Sequence, residues 1–275
     1  DVEEYYNDYR AMHIRTRGVS GGGSGQIALE DTLNLNSGGN SVFILDAGGN
    51  LFIEGTINTG SGADNIILMA DGAVVVRNPI NTGSGFVLTV SGRNAGSPDI
   101  STFLESSINT SGGFVTILAQ NGNIHQTAGS INAGSGHVFF SAKGTVFLQS
   151  TINGGRVGIA GNFISQNGSG VINSTDDVIY QSATAINMSG GSQVNSSVGD
   201  IFITASDNAN VTGLRANNGT VVVAADSITD AGNSHADVAG LRALLLATNG
   251  SIGASNPIDT ELGTVGGFAS GGTIR

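Results

Sequence analysis

Neither cysteine nor tryptophan occurs in the 275 residues, proline occurs three times, and charged residues make up only 11% of the chain. Without cysteine there is no disulfide framework and no thiolate metal site. Long apolar runs are missing as well. The longest, Ala243 to Ala247, falls far below the roughly 18–20 residues needed to cross a bilayer, so no membrane span is expected. Basic residues are also scarce. Ten Lys and Arg against 21 Asp and Glu leave a net charge of −11, and an acidic surface repels phosphate backbones, which argues against nucleic-acid binding. The four histidines, His13, His125, His137 and His235, are scattered without metal-ligand spacing. No glycine-rich phosphate loop leading into a helix occurs. The chain begins at Asp1 without Met or a signal peptide, as expected of a processed protein or a piece of a longer one.

What is present is glycine, 44 residues of it, among plentiful Val, Ile, Leu and Phe. Disordered chains are poor in such aliphatics, so the pattern implies many short buried elements separated by turns. Ser130 to Ser150 is a representative unit: an Ile-Asn step, a Gly-Ser-Gly turn, an apolar strand, a Lys-Gly turn and a second apolar strand. The asparagine of this unit recurs as Asn36, Asn58, Asn81, Asn109, Asn132, Asn153, Asn173 and Asn195, at intervals of 20 to 28 residues. A fixed period with glycine-rich turns is a solenoid signature. A second column follows each turn, as Val42, Ile66, Val87, Val115, Val138, Val157, Val178, Ile201 and Val221. Two residues further on stand Ile44, Leu68, Thr89, Ile117, Phe140, Ile159, Tyr180, Ile203 and Val223. A spacing of two puts both columns on one face of a strand, and their apolar character turns that face inward.

These features predict an all-β chain, a single-stranded right-handed parallel β-helix of about 20–23 residues per turn and nine to eleven turns over residues 26–275. Residues 1–25 are set apart as an N-terminal arm or cap plus a glycine-rich joint. Val2, Tyr5, Tyr9 and Met12 share one face of a helix if that segment is helical; an extended arm pairing with a neighbouring chain is the alternative. The asparagines are expected to stack as a hydrogen-bonded ladder.

The tail, Thr248 to Arg275, has a Gly-Ser-Ile-Gly step (Gly250 to Gly253), an Asn-Pro-Ile-Asp-Thr step (Asn256 to Thr260) and a Gly-Gly-Thr-Ile step (Gly271 to Ile274). In these steps and in the earlier Ile-Asn-x-Gly-x-Gly turns, residues 26–275 resemble the repeats of large bacterial surface proteins related to filamentous haemagglutinin. The resemblance implies a parallel β-helix adhesin or fibre, exported from a bacterium to the cell surface or the medium. The family's secretion domain carries Asn-Pro-Asn-Gly. Here the nearest match is Asn78-Pro79-Ile80-Asn81, and no secretion domain is assigned.

The column just before the inward valines is the place to look for chemistry: Ser41, Asn65, Phe86, Phe114, His137, Arg156, Asp177, Asp200 and Thr220. Phe86, Phe114, His137, Arg156, Asp177 and Asp200 form a candidate flank site, for glycans or other surface proteins or, as in β-helix polysaccharide lyases and hydrolases, for acid–base work. Alternating charges beside a turn also arise as ordinary surface ion pairs. The 28-residue interval between Asn81 and Asn109 leaves room for a loop around Arg93 to Ser101. No cofactor is required; Asp176 and Asp177 are candidate Ca²⁺ ligands. A β-helix has open ends, and head-to-tail stacking of identical chains would cover them. Tyr5, Tyr6, Tyr9, Arg10, Ile274 and Arg275 are the candidate contacts. The expected function is therefore a non-enzymatic extracellular structural subunit, with a glycan-binding adhesin module second and a polysaccharide-active enzyme third.

Overall fold

The computed structural model describes residues 11–16, 25–36, 38–94, 100–232 and 236–275. The chain divides into two compact units, Asp1–Gly144 and Thr145–Arg275. Both are all-β, with no helix among the described residues. Parallel strands stack coil on coil into a β-solenoid, about 11 turns counting both units.

Each full coil has three sides. In the first unit one coil runs Val42–Ala47, Leu51–Ile53 and Ile57–Asn58, and the next runs Asn65–Ala70, Val74–Val76 and Ile80–Thr82. Every strand pairs in parallel with its counterpart one coil away. The second unit repeats the scheme, for example with Val157–Gly161, Phe163–Gln166 and Val171–Ser174. One strand there, Leu214–Ala225, covers two sides at once, with a register shift between Ala216 and Thr220.

The interior is lined by alternate residues. On the first side Ile66, Val87, Val115 and Val138 lie in register and are buried, as are Leu68, Thr89, Ile117 and Phe140 two positions on. In the second unit Val157, Val178, Ile201 and Val221 continue the pattern with Ile159, Tyr180, Ile203 and Val223. Side chains that stack on their own kind across strands about 4.8 Å apart make a continuous apolar column.

The coil that starts with Val42–Ala47 departs from the expected register. Phe43, not Val42, pairs with Ile66, and Leu45, not Ile44, pairs with Leu68. Phe43 and Leu45 are buried. The preceding turn holds three residues with positive φ, Gly38 at 81°, Gly39 at 107° and Asn40 at 60°, and differs from the Gly-Ser-Gly turns. A slip of one residue exchanges the two faces of a strand, so Val42 and Ile44 point outward and Val42, rather than Ser41, heads the flank column.

The N-terminal reading also changes. Met12 belongs to a strand, Ala11–Arg15, that pairs in parallel with Val42–Ala47 of the same chain. It is therefore not part of a helix. Val2, Tyr5, Tyr6, Tyr9, Arg10 and His235 lie outside the described residues.

The Ile-Asn-Thr-Gly-Ser-Gly corner follows from its residues. Ile80 points into the core, and Asn81 lies partly exposed beside it. Thr82 is buried and its hydroxyl donates to the carbonyl of Gly85 at 2.8 Å, as Thr110 does to Gly113 at 2.6 Å. The chain therefore turns without leaving that hydroxyl unsatisfied. The corner glycines stack tightly: a Cβ on Gly113 would stand 1.9 Å from the Gly85 carbonyl oxygen, and one on Gly136 would stand 2.2 Å from that of Gly113. Gly113→Ala must push two backbone coils apart. We expect it to cost about 1–3 kcal/mol and to lower the thermal midpoint, whereas Ser84→Ala on the exposed tip of the same type of corner should change it little.

Candidate functional site

The flank residues fall into two separate groups. In the first unit Phe86, Phe114 and His137 occupy equivalent corner positions, one residue before Val87, Val115 and Val138. The Phe114 and His137 rings stack with centroids 5.3 Å apart and planes 3° from parallel. Phe114 is 53% exposed, so this is an aromatic surface open to solvent. Phe139, 43% exposed, lies two positions from His137 along the chain.

In the second unit Arg156 Nη2 lies 3.3 Å from Asp177 Oδ2, with both side chains partly exposed. Such a pair contributes little to stability in water. The other Asp177 oxygen accepts the backbone N–H of Asp200 at 3.0 Å, and Asp200 Oδ1 accepts that of Thr220 at 2.7 Å. Asn65 Oδ1 does the same for Phe86 in the first unit, at 3.1 Å. At a corner the regular strand ladder lapses, and an acceptor side chain satisfies the N–H left over. Asp177 and Asp200 therefore bind backbone, and their row serves as a set of corner ties. Among the described residues no group of three or more His, Asp or Glu is arranged to hold a metal ion.

The asparagines run as a ladder along the third side. In the first unit Asn58 donates to Asn34 at 3.0 Å, Asn81 to Asn58 at 2.9 Å, Asn109 to Asn81 at 2.8 Å and Asn132 to Asn109 at 2.8 Å. In the second unit Asn173 donates to Asn153 at 2.8 Å and Asn195 to Asn173 at 3.0 Å. Asn36 is not a rung: the register sets Asn34 opposite Asn58. A rung that donates up and accepts down lets each amide satisfy its neighbour. On the second side Asn210 donates to Asn187 at 2.9 Å, a shorter ladder that the period-22 asparagines did not reveal.

Two polar clusters were also not anticipated. In the first unit Asp46 is 4% exposed. Arg93, from the loop after Val87–Ser91, donates to one of its carboxylate oxygens and also stands 3.3 Å from Asp71. His13 Nε2 and Arg15 Nε each lie 3.5 Å from the other Asp46 oxygen. Burial alone would raise the Asp46 carboxyl, but the Arg93 hydrogen bond and charge, with Arg15 and His13, outweigh it and hold the group below the usual carboxylate value. The only sequence hints are an acid closing an apolar strand and an arginine in the sole long interval. In the second unit the buried Tyr180 hydroxyl donates to Gln166 Oε1 at 2.8 Å, and Gln166 Nε2 donates to the carbonyls of Gly170 and Gln193. Burial raises the phenol well above its ordinary value, so Tyr180 is a neutral donor.

These contacts bind the N-terminal strand Ala11–Arg15 and the loop after Ser91 to the coils between them. Arg93→Ala leaves two buried carboxylates without their guanidinium and should cost about 3 kcal/mol in chemical unfolding. A carboxyl held low in the folded state contributes fully above its unfolded value near 3.9 and loses that contribution as pH falls through the folded value. Asp46→Asn should therefore destabilise the protein at neutral pH and flatten the acid side of its stability–pH curve; an unchanged acid limb would show that the cluster is not coupled to folding. In the ladder, Asn109→Ala breaks bonds to Asn81 and Asn132 and should cost about 1–3 kcal/mol, with Asn109→Asp no better because two acceptors then face each other.

No protein-family model matches the chain, and neither a curated protein nor a solved structure matches it.

Proposed function

We propose that this chain is a non-enzymatic structural β-solenoid of an extracellular or cell-surface fibre, extended end to end by the edge pairing of identical chains. The reading rests on the coil-on-coil stacking, in which each coil covers the apolar column of the one before it. Val265 continues the inward column of Val221 and Ala243, and Ile274 continues that of Ile228 and Ile252. Val221, Ile228 and Ile252 are at most 1% exposed, whereas Val265 is 54% and Ile274 55% exposed. Phe268 adds a further exposed ring at 60%. The strand Thr260–Ala269 pairs along one edge only among the described residues. An edge with unpaired N–H and C=O groups above an open apolar column is the surface that another coil of the same cross-section covers. The flank acids support a structural rather than a catalytic reading, since they tie backbone. The likeness of the tail and turns to filamentous-haemagglutinin-type repeats points the same way.

A second reading is favoured by the exposed Phe114–His137 stack: a flank surface on which the apolar face of a sugar ring would rest, making the module an adhesin. In that case Phe114→Ala should abolish binding to a glycan array without changing assembly.

Electron microscopy and sedimentation of the purified chain test the structural reading. Long fibres whose axial repeat equals one subunit are expected, together with their loss in Val265→Asp and Ile274→Asp, which place charge on the open column. Monodisperse single chains at high concentration would sink it.

A further inference from the structure

Three aspartates meet at one corner of the second unit, and their oxygens are unequally served. Asp230 closes the strand Ser227–Asp230. One of its carboxylate oxygens accepts the N–H of Gly232 at 2.7 Å, and the other accepts the Asn256 side-chain amide. Asp237 precedes the strand Val238–Ala247 and is 1% exposed. Its Oδ2 accepts the N–H of Asp259 at 2.9 Å, while its Oδ1 is buried and has no donor among the described residues. The side chain placed to hydrogen-bond with Asp237 is that of Asp230, and two carboxylates make such a bond only with a proton between them. A buried acceptor set against another acceptor is costly unless a proton lies between them. Asp230 already takes two donors; Asp237 Oδ1, which takes none among the described residues, is where the proton belongs.

We propose that Asp237 and Asp230 share one proton as a pH-sensitive latch, which holds the corner leading into Val238–Ala247, and with it Asp259 ahead of the last coil, closed in acid and loosens it toward neutral pH. On release the proton leaves Asp237 for water and two carboxylates then repel across a buried contact. Among the described residues the corner is also held through its backbone. Its ties are backbone bonds from Leu214 N–H to the Asp237 carbonyl and from Asp237 and Val238 N–H to the Asp259 carbonyl. Of the packed elements, the strand ending at Asp230 and the segment carrying Asp259 bring the titratable groups that act on Asp237, and both are acids. His235, two residues away in sequence, lies outside the described residues and is tested directly below.

The electrostatics agree with this geometry. Burial is the main cause that pushes the Asp237 carboxyl up to about 7; the Asp259 N–H opposes it, and the Asp230 and Asp259 charges add to it. An acid raised in the folded state binds its proton more tightly there than in the unfolded chain. Local stability is then greatest below the unfolded value near 3.9, falls as pH rises toward about 7, and is level above that. This is opposite in sign to Asp46.

Hydrogen exchange of the intact chain reads the latch, at a dilution where light scattering finds single chains, so that the outcome does not depend on fibre formation. After correction for intrinsic exchange, amides of Val238–Ala247 and residues 253–259 should open about tenfold more readily per pH unit between about pH 4 and 7, while Val42–Ala70 shows no such rise. Asp237→Asn supplies a permanent amide donor to Asp230 and should abolish the dependence with the corner closed. Protection that is pH-independent in the wild type, or an unaltered dependence in Asp237→Asn, overturns the latch. Should Asp237→Asn fail to fold, Asp230→Asn gives a second test: the transition must move to lower pH, and an unmoved one counts against the pair. His235→Gln must leave the transition in place; its loss would assign the proton elsewhere.

Discussion

Among the described residues, each side of a coil pairs its backbone in parallel with the coil before or after it. A strand in an ordinary sheet can be trimmed or lengthened at its own ends. A strand here must match both neighbours in length, phase and height, because strands only about 4.8 Å apart share one ladder. That constraint accounts for the composition. Corners must be narrow enough to stack, so the chain has glycines whose Cβ would strike the adjacent coil, as at Gly113 beneath Gly85. Corner N–H groups outside the ladder need acceptors that reach the next coil, so Asn65, Asp177 and Asp200 stand where they do. Charge is scarce because most positions either face the core or sit within one strand spacing of an identical position, where like charges repel.

The same constraint explains what was legible in the residues alone. Stacking forces a period, and the period exposed both the parallel solenoid and its inward columns. Ile66, Val87 and Val115 could be placed because a β-branched residue follows each short corner. Phe43 could not, since Val42 beside it looks equally suitable and only the lengthened turn at Gly38, Gly39 and Asn40 selects between them. Asn36 and Asn34 pose the same ambiguity two residues apart on one face, and pairing with Asn58 resolves it. The three-sided coil was not legible, because most strands are two to six residues long and a run such as Val74–Val76 has no periodicity of its own.

Contacts that break the period were invisible for a related reason. Arg93 reaches Asp46 across 47 residues, a distance set by how two coils and an insertion fold over one another. A period-based reading sees such a loop as room and says nothing of what it carries back. Tyr180 occupies a core slot by spacing, yet its hydroxyl requires an acceptor inside the core, and Gln166 enters from another side to supply one. Asp46, Tyr180 and Gln166 are buried and partnered, which is the condition under which a solenoid core admits polar groups.

The two acidic clusters show how one residue type serves opposite ends of that requirement. Asp46 is surrounded by cations, so burial strengthens an interaction that favours the charged form and ties an N-terminal strand to its coil. Asp237 is surrounded by acids, so the same burial favours the neutral form. At an interior coil an unfavourable corner is held by the ladders on both sides. At the coil ending in Thr260–Ala269, the ladder is present on one side only among the described residues. Asp237 precedes Val238–Ala247, which pairs on both sides, and reaches that outer coil through the N–H of Asp259. Proton release at Asp237 therefore acts on that coil through Asp259, which stands just before its strand. The acids of this protein are then better understood through the backbone they hold than through any ligand on the flank.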